Sequence, residues 1–165
     1  MRRPSVTAVR AAAVSMLAAA SVAACGLGSA GTPSSSNNGE PSGTPITVGI
    51  SLSKTGQFSA DGLASLRGYQ LWAADVNSHG GLLGRPVKLV VLNDNSDPNT
   101  VKANYSKLIT QDRVDLTLGP FSSLLTVPAA TVANQHHYAM TAGSATAPTV
   151  YNASLPNLFS TSAPV

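Results

Sequence analysis

The stretch VKLVVLNDNSDPNTVKANYSKLITQDRVDLTLG, residues 87–119, reads as two strands with a helix between them. Val87 to Leu92 and Val114 to Leu118 are short runs of mainly aliphatic residues, long enough for strands and too short for helices. Between them Asp97 is placed as an N-cap and Pro98 stands at the first helical position. Val101, Tyr105, Leu108 and Asp112 then recur at one-face spacing, which predicts a helix from about Pro98 to Gln111. Strands that are apolar on both faces suit a parallel sheet covered by helices.

The same alternation extends in both directions. Upstream, Ile46 to Leu52 predicts a strand and Ala60 to Ser78 a helix ended by Gly80 and Gly81. Within that helix Tyr69, Leu71 and Trp72 are expected in the core, where large apolar side chains are most often found. Downstream, a third helix starts between Ser122 and Pro128, because proline belongs in a helix's first turn. Tyr138 to Thr141 and Leu158 to Ser160 are weaker strands. Alternating strands and helices predict an α/β fold with a doubly wound, mostly parallel sheet.

Before Ile46 the composition is different. Arg2, Arg3 and Arg10 give a basic start, Ala11 to Ala20 is almost wholly apolar, and Val22, Ala23 and Ala24 precede Cys25. Small residues before a lone cysteine fit a lipoprotein processing site, with residues 1–25 as a signal peptide and Cys25 as the lipidated residue. The apolar run is short of the about 20 residues that span a bilayer, which sets an uncleaved anchor second. Twin-arginine export lacks the apolar residues expected just after Arg2 and Arg3. Residues 26–45 are mostly Gly, Ser, Thr, Pro and Asn, a composition too polar to offset its own ordering, and so predict a flexible tether. Residues 46–165 hold the folded part.

The leader also changes the charge argument. The whole chain has 10 basic and 7 acidic residues, but Arg2, Arg3 and Arg10 fall in the leader, leaving seven of each sign beyond it. A formally neutral mature chain gives no basic patch for nucleic acid. Cys25 is the only cysteine, so a disulfide, a thiol nucleophile and a cysteine metal cluster are all excluded after lipidation.

In a doubly wound sheet, ligands bind beyond the carboxyl ends of the strands. Three segments fall there: Ser53 to Asp61, Gly119 to Thr126, and Ala142 to Pro148. Gly119, Pro120, Phe121, Ser122 and Ser123 follow a strand and open a helix, which supplies backbone N–H groups, hydroxyls and the positive end of a helix dipole. Ser144 and Thr146 add two more hydroxyls after the next strand. Together these could hold the carboxylate and amine of an amino acid. The alternative is that the hydroxyls only cap helices, as Ser and Thr commonly do.

Other chemistry is disfavoured. Gly49 to Thr55 resembles a phosphate-binding loop, but Val48 and Ser53 stand where that motif needs its glycines. His136 and His137 are helix neighbours that point apart, and His79 precedes two glycines at another helix end, so neither suggests a metal. Asp94 and Asp97 resemble an acidic pocket, yet Asp97 is explained by capping. No carboxylate pair, serine triad or metal set assembles, which favours binding over catalysis and implies no cofactor.

Several motifs occur in order over residues 46–160: Ile46-Thr47-Val48-Gly49 with Thr55-Gly56, Asp75-Val76-Asn77, Gly80 to Val87, Asn93 to Pro98, Gly119-Pro120, and Ala145-Thr146-Ala147-Pro148. In this set the chain resembles the type I periplasmic-binding-fold receptors of ABC importers, in the branched-chain amino acid and amide class. The resemblance implies a two-lobed clamp that delivers a small-molecule ligand to ABC permease subunits from the outer side of the membrane. It implies that the hydroxyls of Ser123 and Thr146 hold the ligand's α-carboxylate, that the Ser144 carbonyl meets its ammonium, and that Phe121 and Ser122 border its side chain.

The chain departs from the family pattern at several places. Asp61 stands near a pocket-lining aromatic of some amino acid receptors, which points to a small polar solute, an amino acid or amide-like, rather than a branched-chain one. Ser96 and Ser122 replace a cysteine pair found in some members. Family members are longer, and residues 46–165 correspond to the first part of the ligand-binding lobe, so the sequence is expected to be a fragment. A sensing domain of the same fold, continuing into a spanning helix or signalling domain, is the second reading, and an α/β enzyme the third.

Overall fold

The computed structural model describes residues 39–165; the predicted signal segment with Cys25, and most of the predicted tether, lie outside the described residues. The elements run β1 (Ile46–Leu52), α1 (Ser59–Ser78), β2 (Val87–Asn93), α2 (Pro98–Thr110), β3 (Leu116–Leu118), α3 (Ser123–Gln135), β4 (Met140–Ala142), α4 (Pro148–Tyr151) and β5 (Leu158–Ser160). All neighbouring strands are parallel, in the order β2-β1-β3-β4-β5. The predicted doubly wound parallel sheet is therefore present. β3 and β4 begin two residues later than predicted, and α4 was not anticipated, since four residues are too few to show a helical period.

Parallel crossovers are right-handed. From β1 the chain moves one way to β2 and then back across to β3, so α1 covers one face and α2 with α3 the other. The two cores follow from this. Leu66, Tyr69, Ala73 and Val76, at helical spacing on α1, pack with Val48, Ile50 and Leu52 of β1. On the opposite face Val101, Tyr105, Leu108 and Ile109 of α2 pack with Leu125, Ala129, Ala130 and Ala133 of α3 and with Met140. Leu108 and Leu125 are fully buried; such side chains contribute roughly 1.5–3 kcal/mol each.

The α1 stripe corrects two expectations. Tyr69 is packed as predicted, but Leu71 is 72% exposed and Trp72 37% exposed. Leu71 lies two residues beyond Tyr69, on the far side of a 3.6-residue turn, and Trp72 sits at the stripe's margin. Asp112 also leaves the predicted apolar face. It follows the end of α2, where its carboxylate pairs with Lys107 at 2.7 Å.

The helix ends agree better with the sequence. The Asp97 carboxylate accepts the Thr100 N–H at 2.7 Å and the Thr100 hydroxyl at 2.8 Å, and these bonds hold its pKa below the usual value. A lowered carboxylate pKa stabilises the fold at neutral pH, and that contribution is lost as pH falls through the folded value. His79 and His136 stand at the C-terminal caps of α1 and α3. Pro128 lies in the second turn of α3 rather than the first. The carbonyl left without a helical donor belongs to Leu124, which is 55% exposed and open to water. Just before β1 the chain is already fastened: Ser42 N–H donates to the Gly84 carbonyl at 3.0 Å, and Arg85 Nε to that of Thr44 at 2.7 Å.

Candidate functional site at the carboxyl ends of the strands

The strand order reverses between β1 and β3, and the loops that leave the sheet there are Ser53 to Phe58, Gly119 to Ser122, and Gly143 to Ala147. The second of these turns where two strands converge. Gly119 N–H donates to the Thr141 carbonyl at 2.8 Å, and a Cβ at Gly119 would lie 3.1 Å from Ala142 Cα, so a side chain would push the two loops apart.

Ser122 enters α3 with φ of 76° and ψ of 148°, a left-handed region costly for a residue with a Cβ. Its backbone carbonyl accepts both the N–H and the hydroxyl of Thr126, at 3.1 and 2.8 Å. Its own hydroxyl is buried and has no hydrogen-bond partner among the described residues. Such a group costs about 1–3 kcal/mol. The fold thus holds a strained residue with an unused polar atom at the N-terminus of a 13-residue helix.

Ser123 is the first residue of α3, and its Oγ accepts the Ala147 N–H at 3.0 Å. That bond joins the loop after β3 to the loop after β4. Ser144 and Thr146 are half-buried in the latter, on either side of the fully buried Ala145. Phe121 is half-buried and meets Phe58 edge to face, with ring centroids 5.9 Å apart at 61°. The predicted residues Phe121, Ser122, Ser123, Ser144 and Thr146 therefore lie on two bonded loops at one end of the sheet. Neither α3 nor α4 has a hydrogen bond from its own N-cap side chain.

The electrostatics are those of dipoles and hydroxyls. Beyond Asp115 the sequence contains no Asp, Glu, Lys or Arg. An anion beside these loops would meet free N–H groups at the start of α3 and uncharged donors, without a competing carboxylate on the same loops.

Two contributions escaped the sequence reading. Phe58, at the N-cap of α1, is the aromatic that the first loop supplies, whereas Asp61 is exposed in the helix's first turn. Its signal was only an aromatic two residues after Gly56. Behind the loops lies a buried polar cluster. Asp94, fully buried, accepts the hydroxyls of Ser51 and Ser53 at 3.2 and 2.6 Å and the Ser96 N–H at 2.9 Å. Asn104 Nδ2 donates to Ser51 Oγ at 3.0 Å, and the Tyr105 hydroxyl donates to the Leu118 carbonyl.

Residues 45–164 match the family model described as periplasmic binding protein. The chain belongs to the periplasmic binding protein family. Its sheet and helices are those of the type I fold of this family. The Leu/Ile/Val-binding protein BraC3 of Rhizobium johnstonii is 28% identical over 116 residues, covering 70% of this chain and 31% of that protein. The branched-chain amino acid transporter substrate binding protein LivJ of Streptococcus pneumoniae, solved with isoleucine, superposes with a TM-score of 0.70. It is 25% identical, and the match covers 73% of this chain and 34% of LivJ. A solute binding protein of an ABC transporter from Rhodopseudomonas palustris, solved with 3,4-dihydroxybenzoic acid, shares the fold at a TM-score of 0.65 and 20% identity. This periplasmic binding protein chain spans about a third of the length of these relatives.

Proposed function

We propose that this chain forms part of the ligand-binding lobe of the substrate-binding component of an ABC importer, which captures an amino acid outside the cell membrane and presents it to permease subunits. The observation that carries this reading is the pair of loops joined by Ser123 and Ala147, with the Ser122 hydroxyl in the first of them buried and unpartnered among the described residues. Here the first turn of α3, Ser123 and Thr146 hold the α-carboxylate, and the Ser144 carbonyl receives the ammonium. Phe121 and Ser122 border the side chain. The relatives named for Leu/Ile/Val or solved with isoleucine support an amino acid ligand, and the Phe58–Phe121 pair suits an apolar side chain. Asp61, exposed in the first turn of α1, favours the second reading, a small polar amino acid or amide. We propose that a second α/β lobe completes the cleft, in keeping with the greater length of the relatives.

Calorimetry on the complete receptor with L-isoleucine, L-leucine and L-asparagine tests the function and separates the two ligand classes. Thr146→Ala removes a hydroxyl aimed at a carboxylate and is expected to weaken binding by about 1–3 kcal/mol. An unchanged dissociation constant would remove Thr146 from the site, and a receptor that ignores every amino acid would defeat the reading as a whole.

The anchor belongs to the same proposal. Diacylglyceryl transfer to the Cys25 thiol supplies two acyl chains, and two chains hold a protein on a bilayer where one does not. Cys25→Ser is expected to move the protein from the membrane pellet to the soluble fraction after fractionation in its own host. A variant that still sediments with membranes counts against lipidation.

A further inference from the structure

Asp94 has no part in the ligand contacts proposed above, yet it is a fully buried carboxylate at the same end of the sheet. Its three donors come from two segments of the chain. Ser51 and Ser53 belong to β1 and its exit, while Ser96 belongs to the turn between β2 and α2. That turn is strained, since Asn95 and Ser96 are consecutive residues with φ of 52° and 59°. The Ser96 N–H bond to Asp94 Oδ1 helps to hold the turn in this form.

Ser96 passes the constraint onward. Its hydroxyl donates to the Thr55 carbonyl at 3.1 Å and accepts the Phe58 N–H at 3.0 Å. Thr55 Oγ1 donates to Asn95 Oδ1 at 2.8 Å, and Lys54 N–H to Asn93 Oδ1 at 2.9 Å. The whole first loop is thus stitched to the β2–α2 turn, and its last residue is Phe58, the ring packed on Phe121.

We infer that Asp94 is a positioning residue: its buried carboxylate latches the β1–α1 loop to the β2–α2 turn and thereby fixes Phe58 against Phe121, the wall of the ligand's side-chain pocket. The inference rests on the site reading given above for Phe121. Asp94 touches no ligand in this arrangement. It sets the shape of a wall through Ser53, Ser96 and Phe58, so its loss should loosen selection among side chains.

The sequence has three phenylalanines, and the third, Phe159, is 57% exposed on β5 at the opposite edge of the sheet from β2. Uniform 4-fluorophenylalanine labelling of the full chain therefore gives two reporters on the latch and one control, assignable by single Phe→Leu changes. In fluorine NMR, Asp94→Asn is expected to move the Phe58 and Phe121 signals and leave Phe159 in place. Ser96→Ala, which keeps the carboxylate but cuts its link to Phe58, should produce the same selective pattern. It carries the test together with Ser53→Ala if Asp94→Asn fails to fold. Static Phe58 and Phe121 signals, or equal movement of all three, would overturn the latch; the second pattern is that of a residue with a merely structural role. No ligand enters this experiment, so a failed latch and a failed amino acid screen are separate results.

Discussion

Replacing Tyr105 by alanine is expected to lower the unfolding free energy of the domain by about 3–5 kcal/mol, the range for deleting a buried aromatic side chain. Tyr105 is the largest fully buried side chain, packed from α2 in the core shared with α3. Its ring is only part of the contribution. The hydroxyl donates to the Leu118 carbonyl on β3 and lies 3.5 Å from the Ser51 N–H of β1, so one side chain spans the two strands between which the sheet reverses. Tyr105→Phe keeps the ring and leaves that carbonyl without its donor, for an expected loss of about 1–3 kcal/mol. Urea midpoints of the two variants separate packing from polar bonding. A Tyr105→Phe midpoint equal to that of the parent would show that the hydroxyl makes no net contribution. Burial also pushes the Tyr105 phenol above its ordinary value of 10.0. The folded state then holds this proton more tightly than the unfolded chain. The resulting stability is present below pH 10 and declines above it, and Tyr105→Phe should remove that part of the decline.

The fold was legible because each β/α unit carries its own punctuation. Asp97 and Pro98 start α2 where expected, Gly80 and Gly81 follow α1, and the aliphatic runs mark β1, which is almost wholly buried, and its half-buried edge neighbour β2. What escaped was phase and context. Leu71 and Trp72 are as apolar as Leu66 and Tyr69, and only the stripe at 66, 69, 73 and 76 shows that Leu71 lies behind the seam. Asp112 matched the spacing of Val101 and Leu108, but the helix ends at Thr110, so periodicity no longer governed it. Val114, expected within β3, is instead a core residue just before the strand, packed with α2 and α3.

The site was legible at the level of loops. In a parallel sheet the strand exits share one end, so residues after β3 and β4 had to converge once the topology was known. The Ser123–Ala147 bond confirms that proximity, while the roles of Ser123, Ser144 and Thr146 toward a ligand remain part of the proposed function. Phe58 was missed because its importance arises from Phe121, 63 positions away in the chain, and ring contacts over such separations leave no local pattern. The role of Asp94 is hidden from local sequence for a similar reason. Its partners Ser51 and Ser53 lie over 40 residues upstream and reach it only because β1 pairs with β2.

The contact between α1 and the first loop makes a second strong prediction, in which helix propensity and packing give opposite signs. Gly62 and Gly68 both lie in α1, and replacing a helical glycine by alanine should by itself stabilise the helix by about 1 kcal/mol. For Gly68 this is the expected result, because a Cβ there meets nothing within 4 Å. At Gly62 a Cβ would lie 2.1 Å from the Ser53 carbonyl oxygen and 2.8 Å from the Ser53 carbonyl carbon. These are backbone atoms of a buried residue whose hydroxyl is bonded to Asp94 at 2.6 Å, so they cannot swing aside as a side-chain tip would. The helix must lift from β1 or the loop must yield. Overpacking of this kind costs typically 1–3 kcal/mol and occasionally more, and a backbone obstacle places Gly62→Ala at the upper end. Urea denaturation of the two variants should therefore move the midpoint in opposite directions, up for Gly68→Ala and down for Gly62→Ala. A gain at both positions would mean that α1 does not sit on Ser53, and would remove the rigid floor on which the first loop and Phe58 are built.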